Sequence, residues 1–417
     1  MYVTALLGGD SVKLDIGALN QEVARLFNEN GKSPIQYGKK YFFKNKTFTG
    51  VRYAVPGRDD GDGSALKFDF KSLVSIIDFI KGVNLYSPGN KVPIALDFSG
   101  LEPSDKLTVN LLEAISYHVL VNLGQKIVLL YDFSNNIVTQ QMGDAAFTFL
   151  GPKGYSKQTF IEKFLGKGVS GQRNRRIFQN DVDLDKVQFD YAALSQMWGL
   201  SFPVAKKVGK LIAELVDNSV LHAQASVIVD LDVTSLMHNN VTGTPVNGLN
   251  ITIMNFSDVL LFERVRDKLG LFVSNIELLE DTALFESYGK INKALEYHKS
   301  NFSDEYTAEH FWTIASLQHH ISGRVDQFDT NGVGLTKLVK MIQDYAEDEY
   351  GYVASGTVGV WFLSKFMNFN NSTDQFVGFN KSSDFMSDLP DEKSLGKTIL
   401  YLPGTFYNLS FAINTKD

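Results

Sequence analysis

Two polar residues one helical turn apart, Glu214 and Asn218, offer the most specific chemistry in this 417-residue chain. They lie in an apolar-periodic stretch that starts at Pro203. Val204, Val208, Leu211, Ile212, Leu215 and Ser219 form one stripe along it, the packing face of a helix. At about 100° per residue, Glu214 and Asn218 fall together on another side, so both can point at a common ligand beside a sheet. A carboxylate and a carboxamide so placed can polarise a water and complete the shell of a magnesium ion. Alone, the same pair is what any exposed face of an amphipathic helix carries.

More than a hundred residues further on comes Asp329-Thr-Asn-Gly332-Val333-Gly334-Leu335-Thr-Lys337, a glycine-rich turn that opens a second apolar-periodic helix. Glycines let backbone approach an anion, and the first amides of a helix donate to it with the dipole aligned. Glycine before a helix is common, so this turn too is unspecific by itself. Other groups point away from chemistry. The neighbours His319 and His320 diverge by about 100° on a helix, which does not suit a shared metal. His118 lies in an apolar helix and reads as a packed core residue. The acidic loop over residues 55–64 lacks the spacing of a calcium loop and reads as a surface turn.

In this order, Glu214-x-x-x-Asn218 followed by Gly332-x-Gly334-Leu335 resembles the N-box and second glycine box of the GHKL ATPases. That superfamily includes gyrase, histidine kinases, mismatch-repair clamp ATPases and anti-sigma-factor kinases. The run Asn218-Ser-Val-Leu-His222-Ala is closest to the anti-sigma kinases, and Gly396-Lys-Thr398-Ile-Leu-Tyr-Leu-Pro403 resembles the last strands of the fold. The resemblance implies Mg-ATP as ligand. Glu214 would be the base that orients water and Asn218 the magnesium ligand. The amides of Gly332, Val333, Gly334 and Leu335 would hold the β and γ phosphates, and Thr398 would lie near the adenine. His222 would support the helix. The interval at about 259–330 would be a lengthened ATP lid, from which Arg324, or Lys337 beyond it, reaches the γ-phosphate.

The first glycine box of that family, Asp-x-Gly-x-Gly, is missing. The chain reads Met254-Asn255-Phe256-Ser257-Asp258 where it belongs, so Asn255 takes the place of the adenine-reading aspartate, with Ser257 beside it. Its carbonyl can still accept a hydrogen bond, with weaker charge assistance. Asp258 reads instead as a cap of the next helix.

The elements that must position these groups follow from periodicity. Residues 91–133 read as strand, helix, strand, with Val92-Pro-Ile-Ala-Leu-Asp-Phe98 first and Lys126-Ile-Val-Leu-Leu-Tyr131 last. This βαβ unit faintly resembles a STAS domain, with Asp105-Lys-Leu-Thr108 where that family has its phosphorylation turn. Leucine stands at the phosphoserine position, so the unit reads as a docking or sensing domain. Later elements are a helix over 203–222, strands over 225–234 and 248–255, a helix over 334–347, and strands near 351, 358 and 398. The expected fold class is α/β. An α/β regulatory domain over 1–170, similar to STAS, precedes a linker over 171–200. A two-layer α/β sandwich of the Bergerat type, the ATP-binding domain, occupies 201–417.

Composition sets bounds. The chain is 44% hydrophobic and 21% charged with net charge −7, which suits folded domains and lacks the basic excess of phosphate-backbone binders. The basic run Arg173-Asn-Arg175-Arg176 reads as a solvated linker. With no cysteine, disulfides, thiolate zinc sites and cysteine nucleophiles are excluded. No positive n-region opens the chain and no apolar run reaches about 20 residues, so a cytoplasmic location is expected. The function expected is a slow ATPase working as a conformational switch on a protein partner. The alternative is a serine/threonine protein kinase of the anti-sigma-factor type, and homodimerisation is a family expectation.

Overall fold

The computed structural model describes residues 16–31, 42–44, 49–61, 63–86, 91–133, 145–167, 171–179, 182–223, 225–238, 243–274, 283–318, 334–345, 351–369 and 376–414. The chain is mixed α/β and divides into two compact units. The first comprises Met1–Ile177 with Ile228–Thr234 and Ile399–Tyr401, and the second Phe178–Val227, Ser235–Thr398 and Leu402–Asp417. Among the described residues no helix is long and apolar enough to cross a membrane.

The first unit runs α1 (Ile16–Glu29), β1 (Phe42–Lys44), β2 (Thr49–Ala54), β3 (Leu66–Phe68), α2 (Phe70–Tyr86), β4 (Ile94–Asp97), β5 (Leu101–Pro103), α3 (Lys106–Tyr117), β6 (Ile127–Leu130) and α4 (Lys157–Phe164). A sheet of order β1-β2-β4-β6 forms its centre. The expected βαβ unit is present: β4 pairs parallel with β6 from Ile94↔Ile127 to Asp97↔Leu130. A parallel pair needs a crossover, and α3 supplies it. Both strands are short apolar runs, as suits a sheet covered on its faces.

Helix α3 starts where Asp105 caps it, accepting from Thr108 N at 2.7 Å. The turn compared with a phosphorylation loop is therefore a helix N-terminus. Thr108 is fully buried in it, its hydroxyl 3.2 Å from that of Ser104. At the far end a π-helical turn, His118–Asn122, tucks His118 against the Phe27 ring, 4.7 Å between centroids. Burial pushes His118 down to about 4, the behaviour of a packed core histidine.

The basic run is not a solvated patch. It enters β7 (Arg173–Phe178), and Arg173 and Arg175 are buried. Alternate strand residues share a face, so both guanidiniums point the same way. They meet Asp230 on β8 (Val227–His238): Arg173 Nε and Nη2 donate to it at 2.9 Å each and Arg175 Nε at 2.7 Å. From α3, Asn110 Oδ1 accepts from Arg173 Nη2 and Arg175 Nη2 at 3.1 and 2.7 Å. Glu113 lies 2.5 Å from Arg175, and Lys106 lies 3.0 Å from Asp232. Lys106, Asn110 and Glu113 fall i, i+4 and i+7 along one helix face. Three cations thus meet three anions inside the first unit. The basic run looked solvated because its anions lie far away in the chain.

The stretch 171–200, read as a linker, contains β7 and α5 (Leu184–Met197). The second unit continues with α6 (Phe202–Ala223), β9 (Pro245–Phe256), α7 (Glu263–Ser274), α8 (Ala283–Lys299), α9 (Ala308–Ser316), α10 (Gly334–Tyr345), β10 (Tyr352–Trp361) and β11 (Leu395–Asn414). The strands form a sheet of order β10-β11-β9-β8-β7. β9 is buried along nearly its whole length and pairs antiparallel with β11 from Gly404↔Phe256 to Asn414↔Val246. Gly209 lets α6 approach α5: a Cβ there would strike the Gln188 carbonyl and the Ala192 methyl.

Candidate functional site

Pro203 sits in the first turn of α6, where its missing N–H costs nothing. The stripe of Val204, Val208, Leu211, Ile212 and Leu215 is buried, as the periodicity requires. Glu214 and Asn218 lie off it and are half-buried.

One end of α6 borders a shallow recess with room for about one water. Asn218, Ser219, Asn255, Thr405 and Tyr407 give it polar groups, and Val259, Leu260 and Leu261 an apolar side. Asn218 and Asn255, distant in sequence, therefore share one site. Asn255 closes β9, fully buried, and its register partner on β11 is Thr405. Its Nδ2 donates to Ala225 O at 3.4 Å and Ser226 O at 3.3 Å, while its Oδ1 is buried without a partner.

The backbone around this corner is tightly set. Gly404 has φ +108°, and a Cβ there would collide with Asn255 O and crowd Ser257 N. Only glycine lets β11 come so close at that angle. Ser257 N donates to Pro403 O at 3.1 Å, and its Oγ donates to Val259 O at 2.7 Å, so the hydroxyl shapes the turn. Leu260 N donates to Glu263 Oε2 at 2.8 Å. Leu261 N donates to Ser355 Oγ at 3.0 Å, and that hydroxyl donates to Gly404 O at 2.6 Å. The apolar side of the cavity is thus pinned to both neighbouring strands. Asp258 is exposed.

Thr398 stands elsewhere on β11, with Oγ1 donating to Gly356 O at 3.3 Å, and it does not line the cavity. Thr405 and Tyr407 do, on one face of the strand. The dipeptide Gly404-Thr405, a turn-capable glycine inside an apolar strand, was the available signal for them. Ser219, assigned to the packing stripe by periodicity, also reaches the cavity, its Oγ buried and without a partner.

Arg324, Gly332 and Val333 lie outside the described residues, as do His319 and His320. Gly334 and Leu335 begin α10, which occupies most of the expected 334–347; the side chains of Leu335 and Lys337 are outside the described set. α10 is tied to α6: Lys207 Nζ lies 3.0 Å from Asp344 Oδ2 and 3.2 Å from Tyr345 Oη. Among the described residues no group of three or more His, Asp or Glu could hold a metal. The donor set suits at most an ion that shares one protein ligand with a phosphate and water, as magnesium commonly does.

Comparison with known proteins finds no family model, no curated protein and no solved structure that matches this chain.

Proposed function

We propose that this chain binds Mg-ATP in the second unit and hydrolyses it slowly, as a conformational switch acting on a protein partner. The observation that carries the reading is the cavity at which Asn218 on α6 and Asn255 at the end of β9 come together. These are two positions that the GHKL resemblance selects from residues far apart in sequence. Under this reading the second unit is a two-layer sandwich of the Bergerat type, and the first a STAS-like docking domain. The adenine would lie on the side of Asn255, against the turn Val259–Leu261.

Asn218 would hold the magnesium ion by its carboxamide oxygen, and the ion would neutralise phosphate charge. Glu214, one turn earlier on the same side of α6, accepts a proton from water and orients it. The α10 N-terminus, Gly334 and Leu335, with Gly332 and Val333 before it, would present amides to the phosphates, and Arg324 a guanidinium. Full burial of Thr108 weighs against this residue as acceptor of a phosphoryl group.

The test is thermal unfolding with Mg-ATP, Mg-GTP or magnesium alone, since a ligand of the native state raises its apparent stability. Mg-ATP is expected to stabilise the protein, and no shift with any nucleotide would refute the proposal. Labelled ATP then separates the two activities: release of free phosphate supports the switch, and label on an added protein supports the kinase. Glu214→Ala should abolish turnover while leaving the ATP-induced shift in place.

A further inference from the structure

The recess beside Asn218 and Asn255 has room for about one water. Pockets that enclose a small-molecule ligand run to roughly 300–1,000 Å³. The space is taken by a strap, Val259–Leu261, which runs between the last residue of β9, Phe256, and the first of α7, Glu263. It covers polar ground with apolar side chains. Asn255 Oδ1 and Ser219 Oγ beneath it are buried and have no partner among the described residues. Leaving such atoms unpaired is costly, so a strap that stays shut over them needs a bond of its own.

Two of its hydrogen bonds are internal and travel with it. Ser257 Oγ donates to Val259 O at 2.7 Å, and Leu260 N to Glu263 Oε2 at 2.8 Å. A third crosses to the sheet: Leu261 N donates to Ser355 Oγ on β10 at 3.0 Å. That hydroxyl gives its one proton to Gly404 O on β11 at 2.6 Å. Ser355 is 0% exposed. Lifting the strap breaks the crossing bond and leaves the internal two intact.

We propose that Val259–Leu261 is an autoinhibitory strap over the nucleotide site and that Ser355 is its latch. The site admits nucleotide only after the bond from Leu261 N to Ser355 Oγ opens. This rests on the nucleotide-binding reading. Closure here precedes the ligand, whereas a closing lid follows it. A protein that must open before it binds has its affinity reduced by the open fraction, so a change that favours the open strap tightens binding. A serine that merely held this corner together would give the opposite sign, because its loss would loosen the site.

Calorimetric titration of the full chain with Mg-ATP tests the latch. Ser355→Ala removes the acceptor of Leu261 N and should bind about 2- to 10-fold more tightly than the wild type, the span of one net hydrogen bond. Ser355→Thr keeps the hydroxyl and should bind as the wild type does. Without nucleotide, the Leu261 amide should exchange its hydrogen faster in Ser355→Ala by a similar factor. Equal or weaker ATP binding by folded Ser355→Ala would overturn the latch and leave the nucleotide site standing, as would tightening by Ser355→Thr to the same degree as Ser355→Ala. Circular dichroism reports folding. If Ser355→Ala does not fold, Leu261→Pro decides by the same comparison, since it removes the donor from the strap and leaves Ser355 bonded to Gly404 O. Absence of binding by every form would remove the site itself, and this inference with it.

Discussion

Asp230→Asn is expected to cost about 3–5 kcal/mol of stability, the range for stripping one partner from a buried ion pair. Asp230 accepts from Arg173 at 2.9 Å twice and from Arg175 at 2.7 Å, and all three side chains are buried. Burial alone would raise the Asp230 pKa, but Arg173 and Arg175 hold it well below the usual carboxylate range. The asparagine would leave three buried cations facing two anions and turn an amide NH2 toward guanidinium donors. The assay is differential scanning calorimetry near neutral pH. At about 2–4 °C per kcal/mol for a unit of this size, the transition that includes the first unit should fall by roughly 6–20 °C. Asp344→Asn is the control: its pair with Lys207 is exposed on both sides, and such pairs contribute about 0–1 kcal/mol. The sign with pH follows from the lowered pKa. The contribution is complete above the unfolded carboxylate value, about 3.9, and is lost as pH falls through the folded value, so the variant should lose that part of the acid dependence. A change for Asp230→Asn no larger than the control's would refute the account of the cluster.

His118 titrates in a separate window. Burial pushes it down to about 4, so its contribution is full above about 6.5 and is withdrawn as pH falls to 4, by up to roughly 3 kcal/mol; His118→Phe should flatten stability against pH across that window in urea titrations. Gly404→Ala forces a side chain into φ +108° and against Asn255 O, which should cost at least about 1–3 kcal/mol and diminish the Mg-ATP thermal shift. Tyr306 Oη donates to buried His298 Nδ1 at 2.7 Å, while His298 Nε2 donates to Phe385 O at 2.8 Å. Tyr306→Phe should therefore lower stability by about 1–3 kcal/mol in denaturant titrations without altering nucleotide affinity.

What could be read from the sequence was whatever a local period controls. The βαβ unit and α6 announce themselves through apolar residues at spacing 3.6 between short apolar runs, and the structure has them within a few residues of the expected limits. Positions 171–200 were opaque because their meaning lies in partners. Arg173 and Arg175 become interior residues only once Asp230 and Glu113 are brought beside them, and no window of the sequence contains both signs. Which strand residues line the recess was hidden for a related reason. Thr398 and Thr405 both belong to β11, and which of them stands opposite Asn255 depends on register. On β11 the β9 pairing begins only at Gly404, so Thr405 faces Asn255, whereas Thr398 lies in the earlier part of the strand that pairs with β10 alone. Where along a 20-residue strand a given neighbour begins to pair is not set by any local period.

Asn255 shows what each level contributes. Its identity is plain in the sequence, and there it looks like a weakened aspartate: the same shape with less charge to offer an amine. The Ala225 and Ser226 carbonyls change that reading, because beside them the NH2 is needed to hold the side chain in place. Backbone some thirty residues away thus sets the orientation of the Asn255 side chain.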